Sequence, residues 1–138
     1  MTPALTIYTD TLPPDVGGCA NAFVVRIRPK YKDDAGIHRH EYAHVWQWWS
    51  GVAIGAFAAV LMSHTEYWPF ALIAGIALHP LAYLLFDEYR LHAEASAYAE
   101  QLDANGWNLD VLARRLMSPR YKLNLRLDEA RYEILDHR

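Results

Sequence analysis

The pattern of apolar and polar positions changes at about residue 36 of the 138-residue chain. Before that point, short apolar segments are separated by Pro and Gly, which is typical of strands and turns. Strands are predicted over Leu5–Thr9 and Phe23–Arg28. In the second of these, Val25 and Ile27 share one face and two arginines occupy the other. Pro29 should end this strand because a central ladder needs the N–H that proline lacks.

From residue 37 onward the apolar residues follow the period of an α-helix. Capping residues, prolines and an Asn-Gly pair mark the ends of five predicted helices. The chain shows neither an internal repeat nor a low-complexity linker, so we expect one α+β domain over residues 1–138, with a strand-and-turn region at 1–36 and a helical region at 37–138. The predicted helices run from about Ala35 to Ser63 with Asp33 or Asp34 as the cap, from Pro69 with a kink at Pro80, from Asp87 to Ala104 before Asn105-Gly106, from Asn108 to Met117, and from Leu127 to Asp136.

Two apolar stretches, residues 51–62 and 69–86, follow each other in the helical region. A transmembrane helix needs about 20 apolar residues, so the first stretch is short and the second is marginal. Basic residues precede the pair, Glu66 is the only full charge between them, and aromatic residues flank both ends, as in membrane hairpins. Two interpretations remain open: buried helices of a small core, which length alone favours, or a membrane hairpin over residues 51–86.

Composition narrows the function classes. The chain carries 13 Lys and Arg against 16 Asp and Glu, a formal net charge of −3, which argues against a dedicated nucleic-acid binder. Apolar residues make up 53%, which excludes a disordered chain. Cys19 is the single cysteine and cannot form an internal disulfide, and no N-terminal signal peptide is visible. We therefore expect a cytoplasmic protein, with membrane association if the hairpin inserts.

The strongest chemical signal is His40-Glu41-Tyr42-Ala43-His44, an HExxH motif on the first predicted helix. Residues four apart lie on one face of a helix, one turn or about 5.4 Å apart, so the two imidazoles can take two sites of a tetrahedral zinc ion. The glutamate between them can reach a water beside the metal and move its proton. The motif therefore predicts zinc ligands at His40 and His44 and a general base at Glu41. The alternative is a polar helix start with ordinary surface histidines.

A third metal ligand should lie downstream, because a catalytic zinc keeps three protein ligands and one open site. Gln47 and Ser50 stand where the metzincin extension would need Gly and His, which excludes that class. Glu94 is best placed, since the alanines and the serine around it would let its helix approach the motif helix closely. His92, on another face of the same helix, is the second choice. The other downstream candidates are His64, His79, Glu88 and Glu100.

The two motifs together resemble a known zinc-peptidase pattern. HExxH followed downstream by Glu94-Ala-Ser-Ala97 is similar to the gluzincin signature, and the chain resembles small gluzincin-like proteins of bacteria and their phages over roughly residues 15–105. The likeness rests further on Gly18-Cys19, the strand Val24–Arg28, Asp34 and Gln47.

This resemblance implies a zincin-like half-domain of the thermolysin type. Such a fold has a small N-terminal sheet whose edge strand lines a cleft, an active-site helix, and a second helix that bears a glutamate. By the resemblance, His40, His44 and Glu94 are zinc ligands and Glu41 is the general base. The chain is shorter than full gluzincin peptidases, which carry a second subdomain that forms the other wall of the cleft.

Several weaker candidates accompany the motifs. The strand Phe23–Arg28 has either an edge that could pair with an extended peptide or an ordinary solvated edge. Tyr98, Tyr121 and Tyr132 are candidates for stabilising an oxyanion, by residue type alone. Cys19 is expected to be a buried, inert thiol rather than a zinc ligand.

We therefore expect a zinc-dependent metallopeptidase that hydrolyses peptide bonds through a metal-activated water, with a peptide or protein as its substrate. Two alternatives stay open. One is a catalytically inactive, zinc-stabilised binding or structural module. The other is a membrane-associated protease that uses residues 51–86 as a hairpin. The sequence indicates no nucleic-acid partner, and it leaves the oligomeric state open.

Overall fold

The computed structural model describes residues 3–104 and 107–138, and within them a small N-terminal sheet precedes a set of helices. The predicted α+β class is therefore confirmed. The helices also occupy the predicted places, with ends that agree to within two residues; the predicted stop at Asn105-Gly106 lies outside the described residues. The α-helices are α1 (Ala35–Leu61), α2 (Trp68–Leu85), α3 (Asp87–Asp103), α4 (Leu109–Leu116) and α5 (Leu127–Asp136).

The sheet has three strands in the order β1-β3-β2, where β1 is Leu5–Tyr8, β2 is Gly18–Asn21 and β3 is Val24–Ile27. β3 pairs in parallel with β1 and antiparallel with β2. Val25 and Ile27 of β3 are fully buried, as the alternating pattern predicts.

The prediction that the strand Phe23–Arg28 offers a free edge is wrong, because β3 lies between the other two strands. β2 is an edge strand of the sheet, and the sequence pattern does not predict this strand. Its residues, Gly-Cys-Ala-Asn, include no β-branched or aromatic side chain, so local propensity does not favour a strand. Pairing with β3 across a tight turn at Ala22, which has a positive φ of 54°, creates it instead.

Two apolar clusters hold the helices in place. In the first, α1 packs on β3 through Ile37 and Val45. In the second, α3 packs on α4 and α5. Another side of α3 faces α1. Alanines on both sides of Glu94 are buried, and these small side chains let α3 approach α1 closely. The second cluster consists of Ala95, Tyr98, Ala99, Leu112, Ala113, Leu116, Tyr121, Ala130 and Ile134.

The end of α1 and all of α2 form the apolar hairpin, residues 51–86, which extends beyond both clusters. Its helices touch through glycines: a Cβ added at Gly55 would lie 2.5 Å from Gly75 Cα, and one added at Gly51 would lie 2.9 Å from Gly75 O. Gly75 is the one buried residue in the described helix α2. The interpretation of α2 as a buried core helix is therefore wrong.

The glycine contact leads to a prediction for Gly55→Ala. A glycine in an open helical position gains about 1 kcal/mol of helix stability on replacement by alanine. Here the new Cβ would overlap the backbone of Gly75, and such overpacking costs about 1–3 kcal/mol. We expect the thermal unfolding midpoint of the purified protein to fall. Ala53→Leu, on the exposed side of the same helix, should leave it nearly unchanged; a midpoint raised by Gly55→Ala would contradict the close packing.

Candidate metal centre

Two helices bring a His-His-Glu cluster together. His40 and His44 lie one turn apart on α1, and Glu94 faces them from α3. The distance from His40 Nε2 to Glu94 Oε2 is 3.6 Å, and that from His44 Nε2 to Glu94 Oε1 is also 3.6 Å. One potential ligand atom from each residue lies within 4.8 Å of the others. This triad could hold a metal ion, and it is the set that the sequence predicts.

The triad is buried, and two of its polar atoms make no hydrogen bond with the described residues. Glu94 is 3% exposed. Glu94 Oε2 and His40 Nδ1 are buried without a hydrogen-bond partner among the described residues. A buried carboxylate oxygen without a partner is costly, and native structures rarely tolerate one. A cation between Glu94 and the two imidazoles would satisfy Oε2, so the unpartnered oxygen favours a metal site.

Gln47 fixes the orientation of His44. Its Nε2 donates to Ala93 O at 3.0 Å and to Ser96 Oγ at 2.9 Å, and its Oε1 lies 2.9 Å from His44 Nδ1. A carbonyl oxygen only accepts, so the amide nitrogen must face Ala93 and the amide oxygen must face the imidazole. His44 Nδ1 therefore carries a proton toward Gln47, so Nε2 is the nitrogen that faces Glu94 and would bind a metal.

Tyr83 supports the carboxylate from the other side. Its hydroxyl donates a short hydrogen bond to Glu94 Oε1, which holds the carboxylate in position against α1. No sequence pattern indicates Tyr83, because it stands in the apolar segment of α2 without a motif around it. The role of Gln47 is also not predicted, although its spacing of three residues from His44 places both side chains on one face of α1.

The electrostatics of the triad follow from burial and from one carboxylate shared by two imidazoles. Burial lowers the pKa of His40 to about 3, so this imidazole is neutral at physiological pH. Burial opposes charge on Glu94 as well, but the facing His44 outweighs it and lowers the pKa of the carboxyl. Glu94 in turn raises the pKa of His44 against the effect of burial. The carboxylate is therefore ionised, as a metal ligand must be.

Glu41 lies beside the triad and not within it. Its carboxylate is packed against β2: a Cβ at Gly18 would meet Glu41 Oε1 at 2.6 Å, so only glycine leaves room for it. Burial raises the pKa of Glu41 to about 7. At neutral pH this carboxyl can both accept and donate a proton, which suits the role predicted for it.

The triad opens into a cleft between β2 and the hairpin. A cavity of about 580 Å³ adjoins His40, His44 and Glu94, and a second of about 330 Å³ lies on the other side of Glu41. Arg120 lines both cavities, although no motif marks it in the sequence. The other residues that line the larger cavity are Gly18, Cys19, Ala20, Asn21, Ala22, Trp48, His79, Pro80, Tyr83, Leu84 and Tyr121.

Two other residues considered as zinc ligands, His92 and Cys19, lie outside the triad. His92 Nδ1 lies 2.7 Å from His137 Nε2. Cys19 lines the larger cavity, where its Sγ accepts a hydrogen bond from Asn21 Nδ2 at 3.3 Å.

Among the tyrosines, Tyr98 packs against His40 with ring centroids 4.4 Å apart, and its hydroxyl lies 3.0 Å from that of Tyr121. Tyr121 lines both cavities. Tyr132 is 65% exposed on α5, and it lines neither cavity.

The triad predicts how metal binding responds to substitution. We expect the purified protein to hold about one metal ion per chain, measured by mass spectrometry. His44→Ala and Glu94→Ala should each abolish stoichiometric binding, because two ligands remain and a metal site typically needs three or more. His92→Ala, a histidine of α3 outside the triad, should bind metal like the wild type. Retention of the metal by Glu94→Ala would show that the third ligand lies elsewhere.

Comparison with known proteins does not assign the chain to a family. No family model matches the chain, and no curated protein or solved structure matches it either. The residues of the site are therefore the guide to function: two imidazoles and a carboxylate that can hold a metal, and a second glutamate beside them in an open cleft.

Proposed function

We propose that this chain is a zinc-dependent metallopeptidase of the gluzincin type. His40, His44 and Glu94 hold the zinc, and Glu41 transfers the proton during hydrolysis of a peptide bond. The observation that carries the proposal is the convergence of three ligand atoms within 4.8 Å, with a buried glutamate of raised pKa next to them. A zincin-like half-domain accounts for the order of sheet, motif helix and glutamate helix.

The donor set fits zinc. Zinc takes imidazole nitrogen and carboxylate oxygen at about 2.0–2.2 Å in tetrahedral geometry, which places neighbouring ligand atoms about 3.4 Å apart. Each imidazole Nε2 lies 3.6 Å from one oxygen of Glu94, Oε2 for His40 and Oε1 for His44, which is close to this spacing. Magnesium and calcium prefer sites made of oxygen alone, so the two imidazoles argue against them. Three protein ligands also leave one zinc position for the cleft, as catalytic sites do.

The proton chemistry belongs to Glu41. Zinc, when bound, supplies Lewis acidity toward a water and toward the carbonyl oxygen of the scissile bond. Glu41 accepts a proton from the attacking water as the new C–O bond forms. It then returns that proton to the amine as the C–N bond breaks, so the carboxylate ends as it began. A pKa of about 7 makes both transfers accessible near neutral pH.

The cleft offers groups that could align a substrate. β2 is an edge strand beside Glu41, so an extended peptide can pair with its backbone and lie across the triad. Arg120 lines both parts of the cleft, and its guanidinium is our choice for stabilising the oxyanion that forms during attack. Of the three tyrosines that the sequence offers for this role, Tyr98 and Tyr121 line the cleft and Tyr132 does not.

The alternative of a non-catalytic zinc module is less well supported. A structural zinc site is closed by a fourth protein ligand. The described residues supply three ligands to the cluster. Cys19, the natural fourth, is hydrogen-bonded to Asn21 on β2 and stands outside the cluster. The open position favours catalysis over a purely structural metal.

The proposal predicts a separation of binding from catalysis in Glu41→Gln. The amide keeps the size of the side chain but cannot accept the proton, so peptide hydrolysis should fall by about 10²–10⁴-fold. The metal content should stay at the wild-type level because Glu41 is not a ligand. Cleavage of a peptide library and metal analysis of the same sample measure both.

Glu100→Gln is the matched control, since Glu100 is exposed on α3 and lines neither cavity of the cleft. It should cleave like the wild type. Undiminished cleavage by Glu41→Gln would refute the role given to Glu41, and no cleavage by the metal-loaded wild type would refute the peptidase proposal.

A further inference from the structure

We propose that the apolar hairpin, residues 51–86, inserts into a lipid bilayer and that the metal cleft opens at the membrane surface. The substrate is then a peptide segment that lies at the boundary between lipid and water, close to a membrane anchor. The inference about the substrate rests on the proposed peptidase function. The inference about insertion does not, because it depends only on the surface of the hairpin.

The hairpin exposes large apolar side chains along its whole length. Phe57 is 67% exposed and Ile73 is 62% exposed, and a continuous apolar surface of this extent is rare on soluble monomers. α2 is long and apolar enough to cross a membrane, the one such helix among the described residues. The exposed apolar residues of the hairpin are Ile54, Phe57, Val60, Leu61, Met62, Tyr67, Trp68, Phe70, Ile73, Ile76, Leu78, Leu81, Leu84, Leu85 and Phe86.

The charge of both helices and the length of α2 match a bilayer. α2 has 18 residues, which span about 27 Å, and the hydrocarbon core of a bilayer is about 30 Å thick. Residues 42–65 and 67–86 contain no Asp, Glu, Lys or Arg, so Glu66 at the tip is the only full charge in between. The part of α1 that belongs to the hairpin, residues 51–61, is about 16 Å long, so it lies beside α2 over about half of that thickness.

A bilayer fits this surface better than a second protein. At about 100° per residue, the exposed large apolar side chains of α2 from Phe70 to Leu85 cover an arc of about 200°, which runs from Ile76 to Leu78. A helix that docks on one partner needs an apolar stripe of about 100°. Lipid covers a helix from all open sides, so a surface of this width is typical of a membrane-facing helix.

The contacts within the hairpin and at its ends are also those of a membrane protein. The two helices approach closely at Gly51, Gly55 and Gly75. Inside a bilayer the hydrophobic effect does not drive helices together, so they associate through close packing of small residues such as these. Tyr67 and Trp68 stand at the tip of the hairpin, and tryptophans on α1 stand near its base. Aromatic side chains in two such belts are typical of the two faces of a bilayer.

The metal site lies at the base of the hairpin. Tyr83 lies near the end of α2, three residues before Phe86. Its hydroxyl donates a hydrogen bond to Glu94, and its ring centroid is 6.5 Å from that of His44. The larger cavity is lined by Trp48, Pro80 and Leu84 of the same two helices. With α2 across the bilayer, the triad sits within about one turn of the membrane surface, and the cleft opens beside it.

The insertion is tested with the full chain synthesised in the presence of phosphatidylcholine vesicles that contain a minor fraction of phosphatidylglycerol. We expect the wild type to float with the vesicles after an alkaline carbonate wash. The double variant Phe57→Arg/Ile73→Arg places two charges in the hydrocarbon region, so the floating fraction should fall at least about tenfold. Tyr132→Arg, at an equally exposed position outside the hairpin, should float like the wild type.

Two further outcomes would overturn the insertion. One is a wild-type chain that stays soluble and monomeric after the wash. The other is a soluble dimer or larger oligomer that the double variant separates, which would show that a second copy covers this face. Metal content of the double variant reports whether the rest of the chain still folds, since the triad lies outside the substituted positions.

The substrate class is tested with one peptide library in two forms, attached to the vesicles through a lipid chain or free in solution. We expect faster cleavage of the anchored form by the vesicle-bound wild type, with Glu41→Gln as the blank. Equal cleavage of both forms would overturn the membrane-surface substrate while leaving the peptidase function intact. Cleavage of neither form by a vesicle-bound, metal-loaded chain would refute the peptidase function together with its substrate and leave insertion standing.

Discussion

The carboxylate of Glu94, buried between two imidazoles and a tyrosine hydroxyl, is the constraint on which the structure depends. Placing a charged group in a protein interior costs several kcal/mol unless its oxygens are satisfied. Tyr83 satisfies one oxygen, and a metal shared with His40 and His44 would satisfy the other. The groups around this carboxylate come from α1 and α2, and Glu94 itself is on α3, so these three helices must pack together for the site to form.

α1 serves two environments along its length. Its first half packs on the sheet through Ile37 and Val45 and presents the motif histidines to α3. Its second half leaves the sheet and pairs with α2 through glycines. Because a single uninterrupted helix joins the two, the orientation of the hairpin fixes the orientation of the cleft. A site built in this way would keep a constant position relative to a membrane that holds the hairpin.

The sequence predicts the helices, the central strand and the triad because each depends on local spacing. Asp34 caps α1, His40 and His44 follow the helical period, and Glu94 stands among small residues that allow close packing. β2 escapes prediction because it forms through pairing with β3 and not through the propensity of its own residues. Tyr83 and Arg120 escape it as well, since the folded chain alone brings them to the site from distant positions.

The most direct test of the account is X-ray absorption spectroscopy at the zinc edge on the purified full chain. The account predicts only nitrogen and oxygen ligands at about 2.0–2.2 Å, with the outer-shell scattering of two imidazoles. A sulfur ligand at about 2.3 Å would implicate Cys19 and contradict the open His40–His44–Glu94 site, as would a zinc ion with fewer than two imidazoles.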